Sequence, residues 1–223
     1  MKTSASKSAP LDDQGNSFHA GEFSDWLKGF QSSLREGTDN EVACGDCVGC
    51  CSSSYFIHVG PTEKDTLRHL PKDLAIPAPG MEPGNLLIGY QPDGRCPMLG
   101  EGNRCTIYSH RPKTCRAYDC RIFAAAGIAA GGNDKSTINQ RVKSWKFEYS
   151  SETARRTHRS VKRAAQFIRE HAKLFPGGRI PTDPSQLAIL AIKVHSIFLD
   201  SPAEPQSDER IVREIVERSR SQA

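Results

Sequence analysis

The residues of this sequence best able to do chemistry are its eight cysteines, which fall in two short windows. The first window, VACGDCVGCC at residues 42–51, contains Cys44, Cys47, Cys50 and Cys51. The second window, CPMLGEGNRCTIYSHRPKTCRAYDC at residues 96–120, contains Cys96, Cys105, Cys115 and Cys120. Clustered thiols in a reducing compartment are typical of metal ligands or redox groups. We therefore predict that all eight cysteines bind metal.

The spacing within the first window supports metal binding. Cys44, Cys47 and Cys50 form C-x2-C-x2-C, and two intervening residues let a tight turn direct both sulfurs at one ion, with backbone N–H groups turned toward the sulfurs. Gly45 and Gly49 suit such turns. Side chains of adjacent residues are expected to diverge, so we predict that Cys50 and Cys51 serve different metals, unless one of them is not a ligand.

The spacing leaves the identity of the metal open. Zinc in one or two thiolate sites fits a count of four plus four. An iron–sulfur cluster also fits, because C-x2-C-x2-C matches the first three ligands of a bacterial ferredoxin run, although Cys51 stands where the next spacer should begin. The third interpretation is a set of buried or redox-active thiols without metal. His58 and His110 are candidate replacements for a thiol ligand, because imidazole also binds zinc.

The second window contains few apolar side chains that could form a hydrophobic core. Residues 91–120 contain six apolar residues besides the cysteines. Ordering the backbone costs roughly 1–2 kcal/mol per residue, so we expect a bound metal to order this segment. Arg104, Arg111 and Arg116 lie close to its sulfurs in sequence, and we expect their positive charge to lower the pKa of these thiols.

The two windows together resemble the YkgJ-like cysteine-cluster family, also described as the CxxCxxCC zinc- or iron-chelating domain. The residues that carry this resemblance are Cys44, Cys47, Cys50 and Cys51, Cys96 with Leu99, and Cys105, Ile107, Tyr108, Arg111, Pro112, Cys115, Arg116 and Cys120. Asn103 stands where the family pattern has glycine, and RAYDC varies the usual ending of the motif. The resemblance covers roughly residues 40–122.

What the resemblance implies is metal chelation through the eight cysteines, with zinc or iron as the cofactor. It supplies no reaction. Related cysteine clusters occur in flagellin lysine methylases, so an iron–sulfur redox protein or a methyltransferase-like enzyme is an alternative by analogy. No glycine-rich nucleotide loop supports that alternative.

The remaining pattern predicts an α+β protein, in which a small irregular cysteine-rich domain at residues 18–134 precedes a predominantly helical region at 135–223. Residues 1–17 are polar and predicted to be disordered. Apolar spacing predicts helices over residues 21–35, 61–70, 123–134 and 138–174, then a helix capped by Asp183-Pro184 and a last one at DERIVREIVERSR. NLLIGY is predicted to be a short strand.

Composition limits the partners. The 223 residues have a net charge of +4, too mild to indicate a partner for the whole chain. Residues 141–173, however, contain ten Lys or Arg and three Glu, and Arg155, Arg159, Lys162 and Arg169 share one helix side. A zinc-stabilised factor that binds nucleic acid or an acidic protein through this side is the second alternative. With no apolar run long enough for a membrane span or signal peptide, we expect a cytoplasmic protein.

Overall fold

The structure is a computed structural model that describes residues 17–199 and 207–221, and the fold is α+β as predicted. Its strands are β1 (Phe18–Glu22), β2 (Ile57–Val59), β3 (Ala75–Pro77), β4 (Leu86–Ile88) and β5 (Trp145–Glu148). Its helices are α1 (Phe23–Glu36), α2 (Lys64–His69), α3 (Lys113–Ala117), α4 (Arg121–Ala126), α5 (Ser136–Ser144), α6 (Glu152–Glu170), α7 (Pro184–Val194) and α8 (Asp208–Ser221). Apart from Ser17, the segment predicted to be disordered lies outside the described residues.

The chain forms two units that interleave along the sequence. Among the described residues, unit 1 comprises 17–18, Ser32–Asp119 and Gly132–Ser144. Unit 2 comprises His19–Gln31, Cys120–Gly131 and, within the described part of the chain, residues 145–199 and 207–221. Unit 1 therefore contains seven of the eight cysteines, and Cys120 belongs to unit 2.

Unit 1 is built from a small antiparallel sheet and long connections. Its strands lie in the order β2-β4-β3, with Ile88 paired to Ile57 on one side and to Ala75 on the other. A small apolar cluster covers this sheet and contains Val59, Leu70, Ile88, Met98 and Ile107. Cys96 and Cys105 pack against the same cluster. Cys96 and Cys105 therefore lie at the edge of the apolar core of unit 1.

Unit 2 is mainly helical, and its core forms where α4, α6 and α7 pack together. The inner face of α6 carries Val161, Ala164, Ala165 and Ile168, all fully buried at helical spacing. Local signals set the helix starts. Ser151 accepts a hydrogen bond from the Ala154 N–H at 3.1 Å at the start of α6. Unit 2 also contains the two-stranded sheet of β1 and β5.

Most predicted elements are confirmed, and two predicted helices need correction. Helices α1, α2, α7 and α8 and strand β4 appear where the sequence predicted them. The helix predicted over 123–134 ends at Ala126, because Gly127 adopts a φ of +68° and closes it. The helix predicted over 138–174 is two helices, since residues 145–148 leave helical geometry and form β5.

Candidate metal centre

The first cysteine loop is a pair of tight turns in unit 1. The Cys47 N–H donates to the Cys44 carbonyl at 3.0 Å, with Gly45 between them at a φ of +54°. The Gly49 N–H then donates to the Cys47 sulfur at 3.3 Å. The predicted turn with a backbone N–H directed at a sulfur is therefore confirmed. An N–H donor of this kind stabilises a thiolate.

The adjacent cysteines do not diverge as the sequence suggested. Cys50 and Cys51 begin a 3₁₀ turn over Cys50–Ser52, and their sulfurs lie 3.9 Å apart. A 3₁₀ turn rotates successive side chains by about 120°, whereas an extended strand alternates them by 180°. Two sulfurs bound to one tetrahedral zinc at about 2.3 Å lie about 3.8 Å apart. The expectation that these two side chains diverge is wrong, and their separation fits a single ion.

Backbone contacts join the second cysteine window to the first. The Cys96 N–H donates to the Cys51 carbonyl at 2.7 Å. Cys105 forms an antiparallel bridge with Leu99, three residues beyond Cys96. Cys115 follows on α3. These contacts join cysteines that are as many as 71 residues apart in sequence. Among the described residues, however, no three cysteine sulfurs lie within 4.8 Å of one another.

Neighbouring thiols in unit 1 also raise one another's pKa values. Burial raises the pKa of Cys115 to about 12, and the thiols of Cys50, Cys96 and Cys105 add to the increase. Burial likewise raises the pKa of Cys44 to about 11, with contributions from Cys50 and Cys47. None of the eight cysteines forms a disulfide. Thiols that oppose one another's ionisation suit a bound cation, which would compensate the charge of the thiolates.

The arginines of the second window act differently from the prediction. Arg111 does lower the pKa of Cys115, but burial and the neighbouring thiols outweigh it. Arg116 instead pairs with Asp39 at 3.0 Å. The expectation that nearby arginines leave the Cys115 thiol with a lowered pKa is wrong, because sequence proximity does not reveal how deeply a sulfur is buried.

One basic residue that sequence analysis did not connect with the cysteines lies beside them. Arg141 of α5 is 7% exposed and donates through Nη2 to the Cys44 carbonyl at 2.6 Å. Its charge lowers the pKa of Cys44, against the larger effects of burial and neighbouring thiols. In the sequence Arg141 was counted with the basic stretch 141–173. A buried guanidinium next to a thiol favours the thiolate form that binds metal.

Three other predicted ligand candidates have partners of their own. Cys120 is buried in unit 2, and its sulfur accepts the indole N–H of Trp145 at 3.2 Å. His58 contacts the side-chain oxygen of Asn85 at 2.8 Å through Nε2. His110 contacts the Asp65 carboxylate at 2.5 Å. The ligand role of Cys120 stays a prediction from the sequence, and the two histidines lie against oxygen atoms rather than sulfurs.

The basic side of α6 is solvated. Arg155, Arg159, Lys162 and Arg169 are exposed and lie away from the buried stripe, as predicted. Arg159 pairs with Glu152 at 2.6 Å, and Arg155 lies over the ring of Tyr149. These contacts within unit 2 give no support to a nucleic-acid partner. Among the described residues, no helix is both long enough and apolar enough to cross a membrane.

Comparison with known proteins agrees with this geometry. Residues 43–144 match the model of the CxxCxxCC family, whose description reads "putative zinc- or iron-chelating domain". The match includes all eight cysteines and extends past residue 122 to the end of α5, so it also includes Arg141. Searches of curated proteins and of solved structures found no significant match. Residues 43–144 of this chain are therefore similar to the CxxCxxCC family.

Proposed function

We propose that residues 43–144 bind zinc or iron through cysteine thiolates, and that the metal holds the loops of unit 1 in place. The proposed ligands in unit 1 are Cys44, Cys47, Cys50, Cys51, Cys96, Cys105 and Cys115. Cys120 remains a further candidate from the sequence. The proposal requires reduced thiols, which the cytoplasm maintains.

The observation that carries the proposal is that unit 1 contains many thiols and few buried hydrophobic residues. Seven free thiols lie in this unit. Of the 34 buried hydrophobic residues in the described part of the chain, only eight belong to it. They are Val59, Leu70, Ala78, Ile88, Met98, Ile107, Ile138 and Val142. Because few apolar contacts are present, sulfur–metal bonds are the strongest available means of ordering this unit.

The donor set suits zinc and iron and does not suit hard cations. Thiolates bind zinc and iron–sulfur clusters, whereas calcium and magnesium take oxygen ligands. The 3.9 Å between the sulfurs of Cys50 and Cys51 fits two ligands on one tetrahedral ion. No observation on the described residues favours a redox or methyl-transfer reaction, so the proposal ends at metal binding.

Elemental analysis of the purified, untagged chain tests the proposal directly. We expect zinc or iron in the wild-type protein, and we expect Cys47→Ser and Cys115→Ser to lose most of it, because each removes one thiolate. Ser52→Ala is the matched control, since it alters the same 3₁₀ turn as Cys50 without removing a sulfur. Unchanged metal content in both cysteine variants would contradict the proposal.

The same preparations distinguish zinc from an iron–sulfur cluster. Protein purified without oxygen that is brown and contains acid-labile sulfide holds an iron–sulfur cluster. Colourless protein that contains zinc holds mononuclear or bridged thiolate sites. A preparation with neither metal in the wild-type chain would show that the thiols act without metal.

A further inference from the structure

A second group of metal-binding side chains lies in unit 1 and includes no cysteine. Asp65 and His69 occupy α2, four residues apart and so on one side of the helix. His110 ends a 3₁₀ turn over Tyr108–His110. One ligand atom from each of these three residues lies within 4.8 Å of the other two. The fold therefore assembles two imidazoles and a carboxylate from positions 45 residues apart in sequence.

Contacts among these three side chains are close. The His110 ring nitrogen Nδ1 lies 2.5 Å from the Asp65 carboxylate, and this contact holds the pKa of Asp65 below its usual range. The ring of His69 stacks on that of His110 with centroids 3.6 Å apart and an angle of 3° between the planes. His69 Nδ1 also lies 2.9 Å from the Asp65 backbone carbonyl. Asp65 is thus an anionic donor with two imidazoles beside it.

The surroundings leave room for an ion. Asp65 and His110, but not His69, line a surface cleft of about 360 Å³. Its other lining residues include Ser109, Glu63 and the cationic side chains of Lys64, Arg68 and Arg116. The side chains of His69 and His110 are 42% and 36% exposed, so both rings can turn. Because two lone pairs must point at one ion, binding requires the rings to tilt out of their parallel stack. Water in the cleft can fill the remaining coordination positions.

We propose that Asp65, His69 and His110 form a binding site for a divalent transition-metal ion. Two imidazole nitrogens and one carboxylate oxygen suit zinc, iron or nickel, whereas calcium and magnesium prefer oxygen ligands alone. Three protein ligands leave at least one position open towards the cleft. The site shares no ligand with the cysteines.

Nickel titration of the full chain, followed by NMR of the histidine rings, tests this site. Paramagnetic Ni²⁺ broadens the signals of rings that bind it, and variants assign those signals. We expect His69 and His110 to broaden together at a lower Ni²⁺ concentration than the other histidines. Asp65→Asn and His69→Ala should each raise the concentration needed to broaden His110 by about tenfold or more.

His19 provides the matched control. It is an exposed histidine whose Nδ1 lies 2.8 Å from the Glu148 carboxylate. His19→Ala should leave the broadening of His69 and His110 unchanged. Two results would overturn the site: His19 broadening at the same Ni²⁺ concentration as His110, or His110 broadening unaffected by both variants. The second result would mean that Ni²⁺ is not held by Asp65 and His69. Neither result bears on the metal content of the cysteine variants, so this test fails separately from that of the proposed function.

Discussion

At the scale of residues, three thiols of unit 1 have pKa values above the ordinary value. Cys44 and Cys115 have pKa values raised to about 11 and about 12, and the pKa of Cys96 is also raised. Burial is the largest cause for all three, and the neighbouring thiols add to it. A metal that binds here must displace protons, so its affinity increases with pH. The sequence predicted the ligand types, but the burial that sets their acidity depends on contacts between distant residues.

A single buried histidine should make the stability of unit 2 depend on pH. His158 is 6% exposed and stacks on Phe23 at 4.4 Å, with the Tyr149 hydroxyl 2.7 Å from its Nδ1. Burial, and then the charge of Lys162, lower its pKa to about 4. The neutral ring is therefore favoured in the folded state, and stability decreases as the pH falls from about 6.5 towards 4. The full loss corresponds to about 3 kcal/mol.

Urea unfolding at pH 7 and pH 5, followed by tryptophan fluorescence, measures this effect, because Trp26 and Trp145 both lie in unit 2. His158→Gln removes the titrating group, so we expect its free energy of unfolding to change less between the two pH values than that of the wild-type protein. His19→Gln alters an exposed histidine and should retain the wild-type difference. An equal pH dependence in wild type and His158→Gln would contradict the assignment.

At the scale of elements, local patterns were sufficient for most helices and for strand β4, but not for the other four strands. Helix α7 has its start signal in sequence, since Asp183 accepts the Gln186 N–H at 3.0 Å and Pro184 occupies the first turn. Strand β5 has no such signal. It interrupts a basic, helix-like stretch because it pairs with β1, more than 120 residues earlier. Pairing across that distance is set by tertiary packing, which a local pattern does not contain.

The contact between the first cysteine loop and α5 depends on the absence of a side chain at Gly49. Gly49 has ordinary helical φ and ψ, so its backbone does not require glycine. A Cβ atom there would lie 3.3 Å from the Cys47 sulfur and 3.3 Å from the Ile138 Cα. Gly49→Ala should therefore push the loop away from α5 and destabilise unit 1 by about 1–3 kcal/mol.

Metal content and protease resistance of unit 1 measure this change, and both should decrease in Gly49→Ala. Gly89→Ala is the matched control in the same unit, because a Cβ there would meet Phe56 at an ordinary 3.7 Å. Equal metal content and protease resistance in the two variants would show that the close approach at Gly49 is not needed.

At the scale of the whole molecule, the chain combines a unit rich in thiols with a unit rich in apolar contacts. The two cysteine windows were visible in the sequence, and seven of their eight cysteines do lie in one unit. The position of Arg141 beside Cys44 and the meeting of Asp65 with His110 were not visible. These contacts join residues that are 97 and 45 positions apart in the sequence. No local sequence pattern predicts contacts over such separations.

Removal of metal should therefore affect the two units unequally. Unit 2 contains 26 of the 34 buried hydrophobic residues in the described part of the chain, so its helices have a core that does not depend on thiolates. After chelation under reducing conditions, we expect backbone amides between residues 44 and 119 to exchange with deuterium at least about tenfold faster. Amides of α6 and α7 should keep their rates. Hydrogen exchange followed by mass spectrometry measures both regions in one sample.

Metal replacement makes this last experiment specific. Zinc or iron, whichever the native protein contains, should restore slow exchange in unit 1, whereas magnesium should not, because it takes oxygen rather than sulfur ligands. Exchange that accelerates equally in both units would indicate that the whole chain loses structure on chelation. Exchange that does not change in unit 1 would show that its few apolar residues suffice, and that the thiolate–metal bonds are not what orders it.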